Sequence, residues 1–302
     1  MDRRTDDGRR ATRIVHVSDL HLERDGTEHY PGLFARVQRL RGVVSGLAPD
    51  LVVATGDLTD RGSSAPDDFA LALEWLDALG VPWVAVPGNH DLGSNTARER
   101  ESPVMERYED VPFASTGYAT AFGGDPVTKA RIDGLTVLGI AVREGDPDGA
   151  IDRLAREIGE AHGPVVVAGH YPVVSPRTIS GSEPFGARGY IDGVVDRLAD
   201  VLSHPAVIAY LCGHVHLTSM APIGAGCMQF TAGGLGPGAA ALRVYDWDGA
   251  EWRYQTVDVD GPQTFWESGL SDARDDPEFS TGSARERAGV WTPPNTITKD
   301  PV

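Results

Sequence analysis

The sequence predicts one layered α/β domain that is built on two β-sheets. Short apolar runs rich in β-branched residues, such as residues 51–55 and 165–168, have the composition of fully buried strands. In the first third of the chain these runs alternate with segments of helical periodicity, which predicts parallel strands joined by right-handed crossovers. Asp-Gly pairs at residues 133–134 and 248–249 predict two hairpins, so antiparallel strands complete the sheets.

Each predicted element rests on its own local pattern. Apolar residues between Leu33 and Leu47 recur at helical spacing and stop before Pro49, and a second helical run stops at Gly80. The predicted order is strand 14–17, helix 33–47, strand 51–55, helix 67–79, strand 83–86, strands 127–132 and 135–142, helix 150–161, strand 165–168, helix 190–202, strand 207–211, and a hairpin of strands 242–247 and 252–257.

Two stretches between these elements have weaker patterns. Residues 92–125 contain a polar helical piece near 97–109 and form either a wall or lid of a site or a plain connector. Residues 172–189 are rich in Gly, Ser and Pro. Both stretches follow predicted ligand loops, so their side chains are the candidates for the walls of a substrate pocket.

The ends of the chain differ from its middle. Residues 1–12 carry repeated Arg and Asp and predict a mobile tail in front of a domain of residues 13–260. Residues 261–302 are polar and interrupted by prolines, which predicts an extension that is partly disordered or packed on the surface.

Composition excludes several classes of protein. The net charge of −17 disfavours a sequence-independent grip on duplex nucleic acid, which needs a surplus of Lys and Arg on one face. The two cysteines, Cys212 and Cys227, form no disulfide framework and are expected to be buried thiols in a reducing compartment. The charged N-terminus has no signal-peptide core, and no membrane-spanning apolar run occurs. We therefore expect a soluble cytoplasmic protein, a monomer or a homodimer.

Metal-ligand residue types recur where predicted buried strands end. Asp57 lies two residues after the strand at 51–55, at the edge where ligands collect in open α/β sheets. Residues two apart in an extended segment face the same side, so an Asp-x-His or His-x-His pair aims both side chains into one cavity. One such pair is weak evidence, whereas five stretches that each close a predicted strand argue against coincidence. Together they supply the donors Asp19, His21, Asp57, Asn89, His170, His214 and His216.

These oxygen and nitrogen donors are enough for two metal ions that share one carboxylate. Carboxylate, amide and imidazole donors without thiolate suit divalent Mn, Fe, Co or Zn better than a closed structural zinc site. A carboxylate between two ions about 3.5–4 Å apart holds a bridging water, lowers its pKa from about 15.7 toward neutrality and presents it as hydroxide. That hydroxide is the nucleophile that hydrolysis of a phosphoryl ester requires.

Five motifs carry these donors in the order Asp19-x-His21, Gly56-Asp57, Gly88-Asn89-His90-Asp91, His170 and Gly213-His214-x-His216. In this order and spacing the chain resembles the calcineurin-like metallophosphoesterases over residues 13–217. The resemblance implies a four-layer αββα sandwich of two mixed sheets flanked by helices, with a dinuclear site at the C-terminal edge of the strands. It implies that the first metal takes Asp19, His21, Asp57 and His216, and the second Asp57, Asn89, His170 and His214.

The resemblance also suggests roles for residues beside the ligands. His90 matches a non-ligand histidine that contacts phosphate and protonates the leaving oxygen, and Asn89 would stabilise the charge that develops. Asp60 matches an acid that pairs with this histidine, although a turn-capping role is an alternative. For Arg61, a contact with phosphate and a surface salt bridge are equally good interpretations. Asp91 could orient His90 or cap the next segment.

The resemblance is closest to the bacterial class III cyclic-nucleotide phosphodiesterases. It implies a phosphodiesterase that hydrolyses a small phosphodiester, with 3′,5′-cyclic AMP as the best single candidate. Candidate substrate contacts are Arg61 and, in the stretch at 172–189, Arg177 and Arg188. A phosphomonoesterase that acts on a nucleotide or sugar phosphate is the alternative, since only the pocket walls distinguish the two. A non-catalytic scaffold is a third possibility, but scaffolds typically lose ligands and every ligand is present here.

Overall fold

The structure, a computed structural model, describes residues 10–24, 32–62, 65–93, 111–178, 184–185, 191, 193–236, 240–259 and 277–294. Its elements in chain order are β1 (Thr12–Val17), α1 (Leu33–Gly46), β2 (Leu51–Thr55), α2 (Asp68–Asp77), β3 (Trp83–Val86), α3 (Asn89–Leu92), a 3-10 turn (Phe113–Ser115), α4 (Gly117–Phe122), β4 (Val127–Ile132), β5 (Leu135–Ile140), α5 (Ala150–Gly159), β6 (Val165–Ala168), β7 (Arg177–Thr178), β8 (Pro184–Phe185), α6 (Val195–Leu202), β9 (Val207–Cys212), β10 (Ser219–Ile223), β11 (Cys227–Thr231), β12 (Ala241–Trp247), β13 (Trp252–Asp258), α7 (Pro277–Thr281), α8 (Ala284–Arg287) and β14 (Ala288–Trp291).

Two six-stranded mixed sheets form the centre of the molecule. The first has the order β14-β13-β12-β1-β2-β3, in which β1, β2 and β3 are parallel and the other three strands are antiparallel to their neighbours. The second has the order β10-β11-β9-β6-β5-β4, with parallel β5, β6, β9 and β11 between two antiparallel edge strands. The carboxyl ends of the parallel strands in each sheet therefore lie along one edge.

Three apolar layers hold the sheets and helices together. Between the sheets, side chains of the first sheet such as Val53 and Tyr245 share one core with Val137, Val166 and Phe230 of the second. Helices α1 and α2 pack on the outer face of the first sheet, and α5 and α6 pack on the outer face of the second. The four-layer αββα sandwich predicted from the sequence is confirmed.

The α1 helix shows how local pattern gives this packing. Its buried positions are Leu33, Val37, Leu40 and Val44, which recur every three or four residues and so form one stripe along the helix. The Nε1–H of Trp75 in α2 donates to Val37 O at 2.8 Å and joins the two outer helices.

The ends of the chain join the first sheet. Strand β1 begins at Thr12, two residues before the predicted start, and Ala11 and Thr12 are buried. Residues 1–9 lie outside the described residues. Within the predicted C-terminal extension, β14 pairs antiparallel with β13, so that Val290 lies opposite Arg253. The domain boundaries themselves stay predictions.

Two further predictions concern individual segments. The helical piece near 97–109 falls outside the described residues, as does most of 179–190. The helix predicted over 190–202 is described from Val195 to Leu202. In the described part of the chain, no helix has the length and apolar character needed to cross a membrane.

Candidate metal centre

All seven predicted ligands lie just beyond the carboxyl ends of parallel strands. Asp19 and His21 follow β1, Asp57 follows β2, and Asn89 opens α3 directly after β3. The remaining three, His170 after β6 and His214 and His216 after β9, come from the second sheet. Because the two sheets pack face to face, their ligand-bearing edges meet and bring donors together from positions as far apart as 19 and 216.

One group of donors combines the loops after β1, β2 and β9. Ligand atoms of Asp19, His21, Asp57 and His216, here called the first donor cluster, all lie within 4.8 Å of one another. His216 Nε2 is 3.3 Å from His21 Nε2 and 3.3 Å from Asp19 Oδ1. All four residues are buried, so their donor atoms face one another rather than solvent.

The second donor cluster consists of Asp57, Asn89, His170 and His214. Asn89 Oδ1 lies 3.1 Å from His170 Nε2 and 3.0 Å from His214 Nδ1. Asp57 Oδ2 belongs to both clusters, because it is 3.3 Å from His170 Nε2 and 3.8 Å from His21 Nε2. One carboxylate thus lies between two groups of possible metal ligands.

The chemistry of the donors fits cations. His170 Nδ1–H donates to Thr55 O at 2.7 Å and His21 Nδ1–H donates to Asp60 Oδ1 at 2.9 Å. When it gives up its Nε2 proton, His170 presents a lone pair to Asp57 Oδ2 at 3.3 Å and Asn89 Oδ1 at 3.1 Å, and a cation between these three acceptors would satisfy them. Donors about 2.0–2.2 Å from a divalent ion lie about 3.0–3.6 Å apart, which is the range of most of these separations.

The ionisation of the buried groups reflects the same crowding. Burial lowers the pKa of His170, but the Asp57 and Asp19 carboxylates outweigh it and raise that pKa to about 9. Burial and the nearby His170 lower the pKa of His214 to about 3. For Asp57, burial opposes ionisation, yet His170 and His90 hold its pKa well below the ordinary value. The cavity thus keeps its carboxylates ionised.

The ligand residues adopt an unusual backbone conformation. Positive φ angles are uncommon outside glycine, since the Cβ atom crowds the following carbonyl oxygen at a cost of about 1–2 kcal/mol per residue. Such strain collects at functional sites. Among the described non-glycine residues with positive φ are five ligands, Asp19 (52°), His21 (44°), Asp57 (48°), His214 (71°) and His216 (51°).

Backbone hydrogen bonds hold the ligand loops against one another. Asp19 N donates to Gly56 O at 3.0 Å and His21 N donates to Asp57 O at 2.9 Å. His214 N donates to both oxygens of Asp19, at 3.1 and 3.2 Å. Asp19, His21 and His214 are therefore each positioned by a hydrogen bond to the loop of another predicted ligand.

A further loop, residues 232–236, supports the first ligand loop and was missed in the sequence. Leu235 N donates to Ser18 O at 2.9 Å and Gly236 N donates to Asp19 O at 2.7 Å. Gly236 approaches so closely that a Cβ on it would lie 2.9 Å from Asp19 O. The four glycines among residues 233–238 were the signal in the sequence that could have indicated this close approach.

His90 lies at the open side of the ligands, and its side chain is 21% exposed. Its Nδ1–H donates to Asp60 O at 2.8 Å, and Asp60 Oδ1 is 3.3 Å away. Burial alone would lower the pKa of His90, but Asp57 and Asp60 outweigh it and raise that pKa to about 10. Because Nδ1 makes the contacts with Asp60, Nε2 is the ring nitrogen that Asp60 leaves available.

Asp60 contacts two histidines rather than one. Besides lying beside His90, its carboxylate accepts the Nδ1–H of the ligand His21. Burial opposes ionisation of Asp60, yet these contacts hold its pKa below the ordinary value. Such an outer carboxylate fixes the orientation and tautomer of a ligand histidine.

Asp91, whose role the sequence left open, binds backbone rather than the His90 ring. Its Oδ2 accepts Leu58 N at 3.0 Å and Gly88 N at 2.9 Å, and its Oδ1 accepts Thr59 N at 2.9 Å and Thr59 Oγ1–H at 2.8 Å. Burial and the Asp57 charge raise its pKa to about 6. Asp91 ties the loop after β2 to the loop after β3.

Two of the three candidate substrate arginines are described by the structure, and their contacts differ. Arg61, with a side chain that is 46% exposed, forms an ion pair with the buried Glu23 at 2.7 Å. Arg177 does not fit a substrate contact, because its guanidinium donates to Glu286, Thr218 O and Phe279 O and is half-buried. Arg188 lies outside the described residues.

Residues 12–217 match the calcineurin-like phosphoesterase family. The chain belongs to this family. The matched region begins at β1 and ends one residue after His216, so it contains both donor clusters. Calcineurin-like phosphoesterases bind two divalent metals, and the chain is accordingly a metal-dependent phosphoester hydrolase.

Individual relatives agree with this assignment. Over 259 residues the chain is 29% identical to the "Probable cyclic nucleotide phosphodiesterase" of a Synechococcus species, covering 82% of this chain and 92% of that one. It is 28% identical to the "Probable glycerophosphodiester phosphodiesterase" of Arcobacter nitrofigilis, over 68% of this chain and 72% of that one. The crystal structure of a dimetal phosphatase from Danio rerio shares the fold, with a TM-score of 0.58, 13% identity and coverage of 82% of this chain and 96% of that one.

Proposed function

We propose that this calcineurin-like phosphoesterase hydrolyses a small phosphodiester, with a 3′,5′-cyclic nucleotide such as cyclic AMP as the leading substrate. The observation that carries the proposal is that a partly exposed imidazole, that of His90, stands beside a carboxylate that is shared by two donor clusters. A phosphodiester needs both features, since its phosphoryl group must be activated and its leaving alkoxide is a strong base.

The residues of the two clusters are proposed to hold two divalent ions. Asp19, His21, Asp57 and His216 would hold one, and Asp57, Asn89, His170 and His214 the other. The absence of thiolate among these donors favours Mn, Fe or Zn in mixed oxygen and nitrogen coordination. Bound ions supply Lewis acidity, which activates water as the nucleophile and neutralises the phosphoryl oxygens.

His90 is proposed as the general acid. Hydrolysis adds the oxygen of a water molecule to phosphorus and expels a ribose oxygen, which must take up a proton. The Nδ1–H of His90 is occupied by Asp60, so Nε2–H is the proton that His90 can give. The carboxylate of Asp57 accepts the backbone N–H of His90 at 2.8 Å and keeps the imidazole next to the shared ligand.

The other residues bind and orient. Asn89 contributes its Oδ1 to the second donor cluster, which leaves its side-chain amide hydrogens as donors for the charge that develops on phosphate. Asp60 holds both His21 and His90 and so links ligand geometry to proton donation. The side chain of Arg61 is 46% exposed, and it is proposed to contact the substrate by leaving its ion pair with Glu23.

Two observations support a diester over a monoester. The two relatives described above bear the names of a cyclic nucleotide phosphodiesterase and a glycerophosphodiester phosphodiesterase, and both named substrates are diesters, although other relatives are named as acid phosphatases. The chain itself carries a net charge of −17, and a diester brings one negative charge fewer to such a protein than a monoester dianion does.

A substrate panel tests the proposal. Purified protein with Mn²⁺ is assayed on cyclic AMP, a glycerophosphodiester, bis(4-nitrophenyl) phosphate and 4-nitrophenyl phosphate. We expect kcat/KM for the diesters to exceed that for the monoester, with cyclic AMP above the glycerophosphodiester. A preference for 4-nitrophenyl phosphate would contradict the diester proposal and favour the phosphomonoesterase.

The role of His90 is tested through the leaving group. His90→Ala should lower kcat on cyclic AMP by about 10²–10⁴-fold, the usual contribution of a general acid, because a ribose alkoxide needs protonation. The loss on bis(4-nitrophenyl) phosphate should be far smaller, because nitrophenolate leaves without a proton. His162→Ala, which changes an exposed histidine remote from the motifs, is the matched control. Equal losses on both substrates would show that His90 is no proton donor.

A further inference from the structure

The backbone that follows the ligand His216 is bound to a C-terminal segment, residues 277–294. Thr218 N donates to Ser280 O at 2.9 Å. Gly282 packs so closely that a Cβ on it would lie 2.8 Å from Thr218 O, and its φ of 78° is in the region that favours glycine. The C-terminal segment is thus fitted to a loop that lies two residues beyond a ligand.

Arg177 joins the same loop to the same segment. Its Nη2 donates to Thr218 O at 2.9 Å and its Nε donates to Phe279 O at 3.0 Å. Its Nη1 forms an ion pair with Glu286 Oε1 at 2.7 Å, and the two side chains are only 15% and 17% exposed. A charge-assisted contact that is so well shielded from water is stronger than an ordinary surface ion pair.

A second arginine completes the attachment from within the sheets. Arg243 is fully buried, and its Nη1 donates to Ser219 O and its Nη2 to Glu286 O, each at 2.6 Å. The guanidinium lies over the rings of Phe230 and Tyr254, at 5.1 and 5.5 Å from their centres. The carbonyl oxygens of residues 218 and 219 are therefore both held by arginines that also bind Glu286.

His216 requires such support because of its own conformation. Its φ of 51° costs a non-glycine residue about 1–2 kcal/mol, and its imidazole must stay 3.3 Å from Asp19 Oδ1 to belong to the first donor cluster. A loop released at Thr218 would relax toward an ordinary φ and carry the imidazole away.

We propose that Arg177 is a positioning residue of the metal centre, which acts with the C-terminal segment to fix the backbone that carries His216. The inference rests on the metal binding proposed above. It assigns a role in metal affinity to a segment that lies outside the region matched to the family, which ends at residue 217.

Calorimetric titration of metal-free protein with MnCl₂ tests the inference without reference to activity. The parent should bind two ions. Arg177→Met should weaken one of them by about 10–100-fold, as loss of an outer support of a metal ligand does, and leave the other unchanged. His216→Ala and His214→Ala, which each remove a ligand from one cluster, identify the weakened ion as that of the first donor cluster.

Arg287→Met is the matched control. Arg287 anchors the same C-terminal segment, but it does so by binding Asp258 of β13 at 2.7 Å and Thr281 O at 2.8 Å. We expect this variant to lose stability while both Mn²⁺ affinities stay at the parent values. An equal weakening of the first ion in both variants would overturn the assignment to Arg177.

The remaining outcomes are also decisive. Unchanged affinities in Arg177→Met, with a lower melting temperature, would reduce Arg177 to a structural role. Arg177→Lys keeps the positive charge but loses the planar guanidinium, and it replaces the methionine variant if that variant does not fold. The visible absorption spectrum of its Co²⁺-loaded form should differ from that of the Co²⁺-loaded parent. Identical spectra would overturn the inference. A parent that binds fewer than two ions contradicts the metal proposal itself, whereas two ions in the parent and no change in the variants contradict only the inference.

Discussion

Asp91 offers a stringent test of how the ligand loops are held. Its buried carboxylate accepts four hydrogen bonds, from Leu58 N, Thr59 N, Thr59 Oγ1 and Gly88 N. Asp91→Asn preserves the shape of the side chain but replaces one acceptor oxygen with an NH₂ group. Two of the four bonds then meet a donor instead of an acceptor, whichever way the amide is turned.

The two orientations of the amide differ in cost. With NH₂ in place of Oδ2, the N–H groups of Leu58 and Gly88 both lose their acceptor. With NH₂ in place of Oδ1, the Thr59 hydroxyl oxygen accepts a hydrogen bond from the new NH₂ group, and only the Thr59 N–H is left without an acceptor. The second orientation is cheaper, and one buried donor without a partner costs about 1–3 kcal/mol. We therefore expect the free energy of unfolding to fall by about 1–3 kcal/mol.

Urea denaturation at pH 8 measures this loss, because the parent carboxylate, with a pKa of about 6, is ionised there. Asp200→Asn, at an exposed position of α6, is the control and should change the free energy of unfolding by less than about 0.5 kcal/mol. The variant should also bind Mn²⁺ less tightly, since the loosened loops carry Asp57 and Asn89. A loss no larger than that of the control would refute the reasoning.

Two further predictions concern stability. Burial lowers the pKa of His16 to about 3, below its unfolded value, so the neutral imidazole contributes stability that is present above about pH 6.5 and is lost as the pH falls toward 3, at up to about 1.4 kcal/mol per pH unit. Urea unfolding at pH 7.5 and 5.5 should show a steeper decline for the parent than for His16→Gln, and parallel declines would contradict this. Gly236→Ala places a Cβ 2.9 Å from Asp19 O and 3.0 Å from Leu20 O and should destabilise by about 1–3 kcal/mol. Gly42→Ala, on the exposed side of α1, has space around its Cβ within the described structure and should stabilise by about 0.5–1 kcal/mol. Similar melting temperatures for the two alanine variants would count against the tight fit of Gly236.

Strands with both faces buried are the elements that the sequence predicts best. The predicted limits of β2 and β6 agree with the structure to the residue, because each is a run of apolar residues with abrupt ends. Strand β14 is exposed at three of its four residues, so it has no apolar pattern to detect. Its place in the sheet depends on pairing with β13, and such a long-range partner leaves no local trace in the sequence.

Within the site, too, some residues could be predicted from the sequence and others could not. The seven residues that converge at the two donor clusters could be picked out because each belongs to a short motif at the end of a strand, where local pattern and chemistry coincide. The supports of those ligands could not, since Asp91 binds groups 32 and 33 residues away and Arg177 binds Glu286 across 109 residues. In the sequence Arg177 is a cation in a loop of Pro and Ser, which is why a substrate contact was expected of it.

The position of β1 in the middle of the first sheet determines when the metal centre can form during synthesis. This strand precedes Asp19 and His21, yet its neighbour β12 is translated after the whole second sheet, and Arg13 pairs with Asp246 at a separation of 233 residues. His216, which closes the first donor cluster, is itself 195 residues from His21. A nascent chain therefore carries incomplete sets of donors until most of it has been synthesised, and the two donor clusters can assemble only late.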